Sequence, residues 1–376
     1  MRASDVRVRS TERGVELRAH VSCDADWVEP FDLWYRFPPQ LEEHLDPRNG
    51  DPFLAALMGA AMVLAEPLAI EAEISPALAA AAPRIQSIFR TWDPNLRETE
   101  IRAPIRGVPG RPSGSGRGLF FSLGLDSFYS LLKNVRDHPS GPEAVSHLIT
   151  VHGFDIYLDK PDAVVFPQML ASSTRVAREL GKDLVPVTTN LRDLTDQIVN
   201  WVEIHHGAAL ASVGLALDGW LDPLHIAASF TYAELYPLGS HPLVDPLWST
   251  ERVSIVHDGC EATRLDKARL VAEWPIALET IRVCTEILPE YNCGRCEKCV
   301  RTMLTLHVVG ALDRCTSLPN RIDIERVREM KSNPRRATHI RHIMEALGSS
   351  SFDREVHRAL QEVLEGFPAG AWGYTG

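Results

Sequence analysis

Residues 120–127 read FFSLGLDS, and this short stretch sets the expected architecture of the central part of the chain. It predicts a buried strand that passes through a tight turn into a helix. The first N–H groups of a helix lack partners and carry partial positive charge, so they can bind phosphate oxygens. Ser122 and Ser127 add hydroxyl donors, Gly124 lets a phosphate approach the backbone, and Asp126 can hold Mg²⁺ or cap the helix. The stretch predicts a phosphate site, and an ordinary capped helix is the alternative.

Strands and helices alternate after this stretch, which indicates a parallel sheet. The expected strands lie at residues 118–122, 147–151, 184–188 and 224–228, and the expected helices at 127–135, 171–180 and 191–217. Apolar strands separated by helices are typical of a sheet that is buried on both faces. The sequence therefore predicts an α/β fold with a doubly wound parallel sheet.

The chain divides into five predicted segments. They are an N-terminal α+β domain of unknown role (1–105), a linker (106–117), the sheet domain (118–283), a cysteine-rich segment with a helix (284–318) and a helical tail (319–376). The tail is strongly basic at residues 326–342. This charge predicts a solvated helix face, with a local phosphate or nucleic-acid contact as the alternative.

Composition and charge narrow the functional classes. The chain has 376 residues, of which 45% are hydrophobic, so it can bury a sizeable core and bulk disorder is excluded. Its net charge of -11 excludes a generally basic nucleic-acid coat protein. The N-terminus lacks a signal-peptide core, and the apolar run at residues 53–65 is too short to span a bilayer. We expect a cytoplasmic protein that binds small molecules, forms a homo-oligomer, and has neither membrane nor nucleic acid as a partner.

Four of the seven cysteines fall within sixteen positions, in the pattern C-x8-C-x2-C-x2-C. Four thiolates in a tight turn suit a tetrahedral Zn²⁺ with Zn–S bonds of ~2.3 Å. Such clustering argues against a secreted disulfide framework. An iron–sulfur cluster and a thiol–disulfide motif are the alternatives. The predicted metal ligands are Cys284, Cys293, Cys296 and Cys299.

Two motifs carry a resemblance to known enzymes. Residues 122–127 resemble the PP-loop of the ATP pyrophosphatases, whose signature is Ser-Gly-Gly-x-Asp-Ser, with Leu123 in the place of the first glycine. Residues 293–301 read Cys-Gly-x-Cys-x-x-Cys-x-Arg and closely resemble the zinc segment of the 7-cyano-7-deazaguanine synthases. Those enzymes join a PP-loop to a C-terminal four-cysteine zinc site in the same order. The resemblance covers about residues 118–310.

The resemblance implies a fold like that of the adenine-nucleotide alpha-hydrolases and an ATP-dependent chemistry. In the synthases, ATP adenylates 7-carboxy-7-deazaguanine and releases pyrophosphate, ammonia attacks the adenylate, and the resulting amide is activated again and dehydrated to the nitrile. The implied cofactors are ATP, Mg²⁺ and a structural Zn²⁺. The synthase's Tyr-Pro-Asp-Cys-Arg substrate loop is not found here, so the carboxylate and its acceptor stay open. Some relatives join a deazapurine to a protein, which adds a protein acceptor to the candidates.

The resemblance also implies roles for individual residues. Lys267 lies in a segment, RLDKAR, that resembles the late Lys-Ala-Glu segment of PP-loop enzymes. The expected catalytic residues are Asp126, Ser127 and Lys267. The expected nucleotide-binding residues are Ser122, Gly124, Asp126, Ser127, His152, Asn190 and Arg192.

Two other functional classes remain open from the sequence. PP-loop proteins also transfer sulfur to tRNA or small molecules, for which Cys260 is the candidate thiol, although its acidic neighbours disfavour the thiolate. A nucleotide-binding module without turnover is the third hypothesis, with Leu123 as its mark. In the proline-rich segment at residues 237–249, Trp248 is a candidate for stacking on a flat heterocycle, and a well-ordered connection is the alternative.

Overall fold

The structure is a computed structural model that describes residues 1–107, 114, 116–217, 219–331 and 336–367. The strands of these residues are β1 Arg2–Thr11, β2 Gly14–Ser22, β3 Phe31–Phe37, β4 Leu68–Ile70, β5 Ile101–Arg102, β6 Gly116–Phe120, β7 Val145–His152, β8 Asp183–Thr189, β9 Leu221–Ala227 and β10 Ile255–Asp258. They form one sheet in the order β10-β9-β6-β7-β8-β3-β2-β1-β4-β5. The predicted linker falls largely on residues 108–113 and 115, which lie outside the described residues.

The half of the sheet that β6 to β10 form is parallel, as predicted. Strand β6 lies in its middle, with β7 and β8 on one side and β9 and β10 on the other. Because β6 to β8 advance in one direction and β9 returns to the other side of β6, the connections must cross opposite faces of the sheet. The α/β fold class with a mostly parallel sheet is therefore confirmed, and the order reverses between β6 and β9.

Helices cover both faces of this parallel half. The helices of the described residues are α1 Asp51–Leu64, α2 Pro76–Trp92, α3 Leu125–Asp137, α4 Phe166–Glu179, α5 Leu191–Thr195, α6 His206–Leu215, α7 Arg264–Val271, α8 Pro275–Thr280, α9 Glu297–Val308, α10 Ile324–Arg328, α11 Ala337–Ala346 and α12 Ser351–Glu365. Helices α3 and α4 share one hydrophobic core with α7 and α8, whereas α1 and α6 belong to another. Helices α9 to α12 pack into a third cluster.

Residues 1–105 extend the same sheet. Strands β1 to β3 are antiparallel neighbours, and β3 pairs with β8 through Tyr35 with Thr189 and Arg36 with Thr188. Pro186 is tolerated within β8 at a position that β3 does not reach, since β3 pairs only with Thr188 and Thr189. The first helix, α1, is buried along most of its length.

The helices found in the described residues include none that is both long and apolar enough to cross a membrane.

Candidate functional site

A cavity of about 300 Å³ opens at the carboxyl ends of β6, β7 and β9. This is the point where the strand order reverses, which is where open α/β sheets bind ligands. Its wall includes Ser122, Gly124, Asp126 and Ser127 of the predicted phosphate loop. The fold thus places these residues around the same cavity.

The predicted phosphate loop has a left-handed residue at the position where the PP-loop signature has a glycine. Leu123 has a φ of 61° and is fully buried, and its carbonyl accepts a hydrogen bond of 3.0 Å from the N–H of Arg282. An L side chain in this region costs about 1–2 kcal/mol. The burial of Leu123 and its bond to Arg282 hold a conformation that glycine adopts without strain.

Hydroxyl groups brace the turn into α3. Ser127 Oγ donates to the carbonyl of Gly124 at 3.0 Å and lies 3.4 Å from Ser122 Oγ. Ser122 Oγ also accepts from the N–H of Gly124 at 3.3 Å. Gly124 caps α3 without a side-chain hydrogen bond to the first turn. The first N–H groups of α3 therefore keep their capacity to bind an anion.

Asp126 and Lys267 form an ion pair at the edge of the cavity. Lys267 is 1% exposed, and its Nζ donates to Asp126 Oδ1 at 3.3 Å and to the carbonyl of Ala228. Burial by itself would raise the pKa of Asp126, but the charges of Lys267 and Arg264 lower it. Asp126 is thus ionised at neutral pH, and Lys267 stands behind it, outside the cavity lining.

Arginine side chains from distant parts of the chain line the same cavity. Arg264 and Arg282 are 8% and 5% exposed, and the Nε atom of each has no hydrogen-bond partner among the described residues. Arg264 donates from Nη2 to Thr302 Oγ1 at 2.9 Å. Burial lowers the pKa of Arg264 to about 9, with a further contribution from the charge of Arg301. The positive charge of these buried side chains favours an anion in the cavity.

The C-terminal tail adds two residues to this wall, Arg336 and His339. Arg336 and Arg301 both pair with Glu297, each at 2.6 Å, and His339 Nδ1 lies 3.2 Å from Arg301 Nη1. His339 also stacks on Phe230, with ring centres 4.9 Å apart. Part of the predicted basic segment therefore faces the cavity rather than the solvent.

Aromatic side chains form the less polar side of the cavity. They include Phe154, Trp201, Phe230 and Tyr236, and Phe120 and Phe121 line the cavity as well. Arg192 supports two of them, because its guanidinium lies 4.3 Å from the Trp201 ring centre and donates to the carbonyl of Phe154 at 2.6 Å. This side offers flat surfaces on which a heterocycle can stack.

Three residues expected to contact the nucleotide have other partners in this structure. His152 stacks on Phe166 with ring centres 3.9 Å apart. Asn190 joins β8 to β3, since its Oδ1 accepts from the N–H of Trp34 and its Nδ2 donates to the carbonyl of Asp32, both at 2.9 Å. His152, Asn190 and Arg192 are absent from the lining of the cavity formed by the described residues.

Arg264, Arg282, Arg336 and His339 were not among the site residues expected from the sequence. A cluster of arginines spread over about seventy positions has no local pattern by which sequence could reveal it.

Two other expectations concern side chains near the cavity. Trp248 is fully buried in the core and is not part of the lining, so the expectation that it stacks on a ligand is wrong for this structure. Leu238 and Ser240 of the same proline-rich segment do line the cavity. Cys260 is 2% exposed and lies outside the lining, next to His257.

The four predicted metal ligands come together, with all four Sγ atoms within 4.8 Å of one another. Cys284 and Cys296 Sγ are 3.9 Å apart, as are Cys293 and Cys299 Sγ. A tetrahedron with Zn–S bonds of ~2.3 Å has edges of about 3.8 Å, whereas a disulfide joins sulfurs at about 2.05 Å. The cysteines fit a single metal ion such as zinc, and no two of them are joined by a disulfide.

The local backbone explains this geometry. Gly294 has a φ of +68°, which turns the chain between Cys293 and Cys296, and a Cβ there would meet Pro319. Cys299 follows on the first turn of α9. Hydrogen bonds with Cys296 and Cys299 lower the pKa of Cys284, which favours a thiolate there, the form that binds metal.

The cysteine cluster borders the cavity. Cys284 and Lys298 both contribute to the lining, and Arg282 lies two residues before Cys284. Asn292 Oδ1 accepts from the N–H groups of Val283 and Cys284 at 2.9 and 3.2 Å. The segment that carries Arg282 to the phosphate loop is thus fastened to the cysteine cluster.

Comparison with family models, with curated proteins and with solved structures found no match to this chain.

Proposed function

We propose that this chain uses ATP to activate a carboxylate by adenylation, with release of pyrophosphate, and then transfers the acyl group to ammonia or another amine. One observation carries the proposal: the loop at residues 122–127 lines the same cavity as the buried side chains of Arg264 and Arg282. It costs free energy to bury a cation whose N–H donors lack acceptors, and a bound anion reduces this cost by supplying acceptors. A polyphosphate offers several acceptor oxygens for this purpose.

Each part of the cavity has a task in such a reaction. The N–H groups at the start of α3, with Ser122 and Ser127, would bind phosphate oxygens. Arg264 and Arg282 would stabilise the charge that builds on the departing pyrophosphate. Asp126, which is ionised and faces the cavity, would hold Mg²⁺, and this ion would offset charge on the phosphates.

The aromatic side of the cavity supports a flat substrate. Phe154, Trp201, Phe230 and Tyr236 offer ring faces and edges to a heterocycle. Together with the resemblance to the 7-cyano-7-deazaguanine synthases, this makes a carboxylated deazapurine the first substrate to test. The product would be a nitrile, an amide or a conjugate with an amine.

The proposal is tested by incubating the purified protein with ATP, Mg²⁺ and a panel of carboxylates led by 7-carboxy-7-deazaguanine, with and without ammonia. We expect AMP and pyrophosphate that depend on one carboxylate. ADP and phosphate would contradict the proposal. Bound ATP without any turnover would favour a nucleotide-binding module.

The variant Asp126→Asn tests the loop itself. Removing this carboxylate is expected to lower pyrophosphate release by at least about 100-fold, since typical single electrostatic contributions to catalysis reach 10²–10³. Asp137→Asn is the matched control, because Asp137 ends the same helix, is exposed and lies outside this cavity. Unchanged turnover in Asp126→Asn, with the fold intact by circular dichroism, would remove Asp126 from the mechanism.

A further inference from the structure

His206 lines the cavity, but the proposed adenylation step does not use it. It is the first residue of α6 and lines the cavity beside Trp201 and Val202. Its Nδ1 lies 3.2 Å from the carbonyl oxygen of Val202. A carbonyl oxygen only accepts, so Nδ1 must carry the hydrogen. The other ring nitrogen, Nε2, then has a free lone pair in the neutral imidazole.

The contacts of His206 make Nε2 the available nitrogen. Nδ1 is turned to the backbone of the helix's own preceding turn, so the distal edge of the ring is the part that reaches the cavity. Among the residues that the structure describes, His206 bonds to the backbone of Val202 and Trp201, in the turn before α6, and no side chain bonds to Nε2. A histidine that presents an unpaired lone pair to a cavity has the geometry of a proton acceptor.

The surroundings keep this ring neutral. Burial lowers the pKa of His206, and the carboxylates of Asp245 and Asp155, which act in the opposite direction, do not reverse the effect. The neighbouring His205 is buried, and its own pKa is lowered to about 3, so it adds no positive charge near pH 7. His206 is therefore ready to accept a proton at neutral pH.

The second half of the proposed reaction needs such an acceptor. When an amine attacks an acyl adenylate, a C–N bond forms and the bond from the acyl carbon to the phosphate oxygen breaks, so that AMP leaves with the electron pair. The attacking nitrogen must then lose one proton. We propose that His206 Nε2 accepts this proton, as the general base of the acyl-transfer step. This inference rests on the proposed function, because it assumes an acyl adenylate.

His206→Gln separates the two half-reactions. Carboxylate-dependent exchange of labelled pyrophosphate into ATP measures adenylation alone, whereas amide formation measures both steps. We expect the exchange to stay within about twofold of wild type and amide formation at pH 7 to fall by about 10²–10⁴-fold, the usual contribution of a general base. His138→Gln is the matched control, since His138 is exposed and outside this cavity.

Two further readouts distinguish a base from a structural residue. Hydroxylamine is a weakly basic amine that is already neutral at pH 7. Acyl transfer to hydroxylamine should therefore depend less on His206, and hydroxylamine should restore much of the transfer that His206→Gln loses. The rise of wild-type amide formation with pH should be missing or shifted to higher pH in His206→Gln. Asp155, Asp245 and His205 remain in the variant, so a pH profile that is unchanged in His206→Gln would belong to other groups and would contradict the proposal.

Each outcome decides a different question. Full exchange with lost transfer and hydroxylamine rescue supports the base. Full exchange with full transfer overturns it, and equal loss of exchange and transfer overturns it as well, because the ring would then serve binding or adenylation. If the wild-type protein exchanges pyrophosphate with no carboxylate, the proposed function itself fails, and the inference fails with it.

Discussion

Replacing Leu123 by alanine and by glycine probes the left-handed backbone of the phosphate loop. At most positions glycine is less stable than alanine by about 0.5–1 kcal/mol, because it loses more conformational freedom on folding. At a φ of 61° the order should reverse, since a Cβ there costs about 1–2 kcal/mol and glycine has none. We expect Leu123→Gly to be more stable than Leu123→Ala by about 1 kcal/mol.

Both variants are expected to be less stable than the wild type. Leu123 is fully buried and belongs to the core shared by α3 and α7. Removing a buried leucine side chain costs about 2.7–5 kcal/mol, so Leu123→Ala should lose about that much and Leu123→Gly about 1 kcal/mol less. Urea unfolding followed by circular dichroism measures the two midpoints.

The same pair of substitutions at Leu119 provides the control. Leu119 is also fully buried but lies in strand β6, outside the positive-φ region. There the alanine variant should be the more stable one. If glycine is also the less stable substitution at Leu123, the left-handed conformation is absent in solution, and the structural equivalence of Leu123 with the family's glycine is refuted.

Two more predictions concern the cysteine cluster and a buried ion pair. Cys296→Ser should lose bound metal, measured by elemental analysis, together with stability, whereas Cys23→Ser, outside the cluster, should keep both; if Cys296→Ser kept both, the metal site would be wrong. Burial would lower the pKa of His257, but its hydrogen bonds with Asp245 and Cys260 raise it to about 9. The pair's stabilisation is therefore complete below the unfolded pKa of about 6.5 and is lost as pH rises to about 9, a fall of about 3 kcal/mol in the free energy of unfolding. His257→Gln should flatten this slope in urea titrations between these pH values, and an unchanged slope would assign it to other groups.

Local sequence patterns predicted much of the fold. The apolar segments that alternate with helices became β6 to β9, with ends that differ by one to three residues from those predicted. Strand β10 was not predicted, because residues 255–258 read Ile-Val-His-Asp and show no long apolar run. The pairing of β3 with β8 was also not predicted, since it joins segments that are about 150 residues apart in the chain.

The residues of the candidate site also divide into those that local sequence predicted and those that it did not. The phosphate loop and the cysteine cluster each lie within a few turns of chain, so their spacing predicted which residues would meet. His152, Asn190 and Arg192 lie at strand ends as expected, yet none of them lines the cavity, because their side chains bond to neighbouring segments.

The sequence by itself determined the elements whose cause is local: the strand, turn and helix around residues 120–127, the alternation that builds the parallel sheet, and the turn that gathers four cysteines. Only the tertiary structure decided that Arg264, Arg282, Arg336 and His206 face one cavity. These residues are separated by up to 130 positions, and their approach depends on strand order and on which helix covers which face of the sheet. Such long-range contacts follow from the packing of whole elements, whereas periodicity and spacing describe only neighbours along the chain.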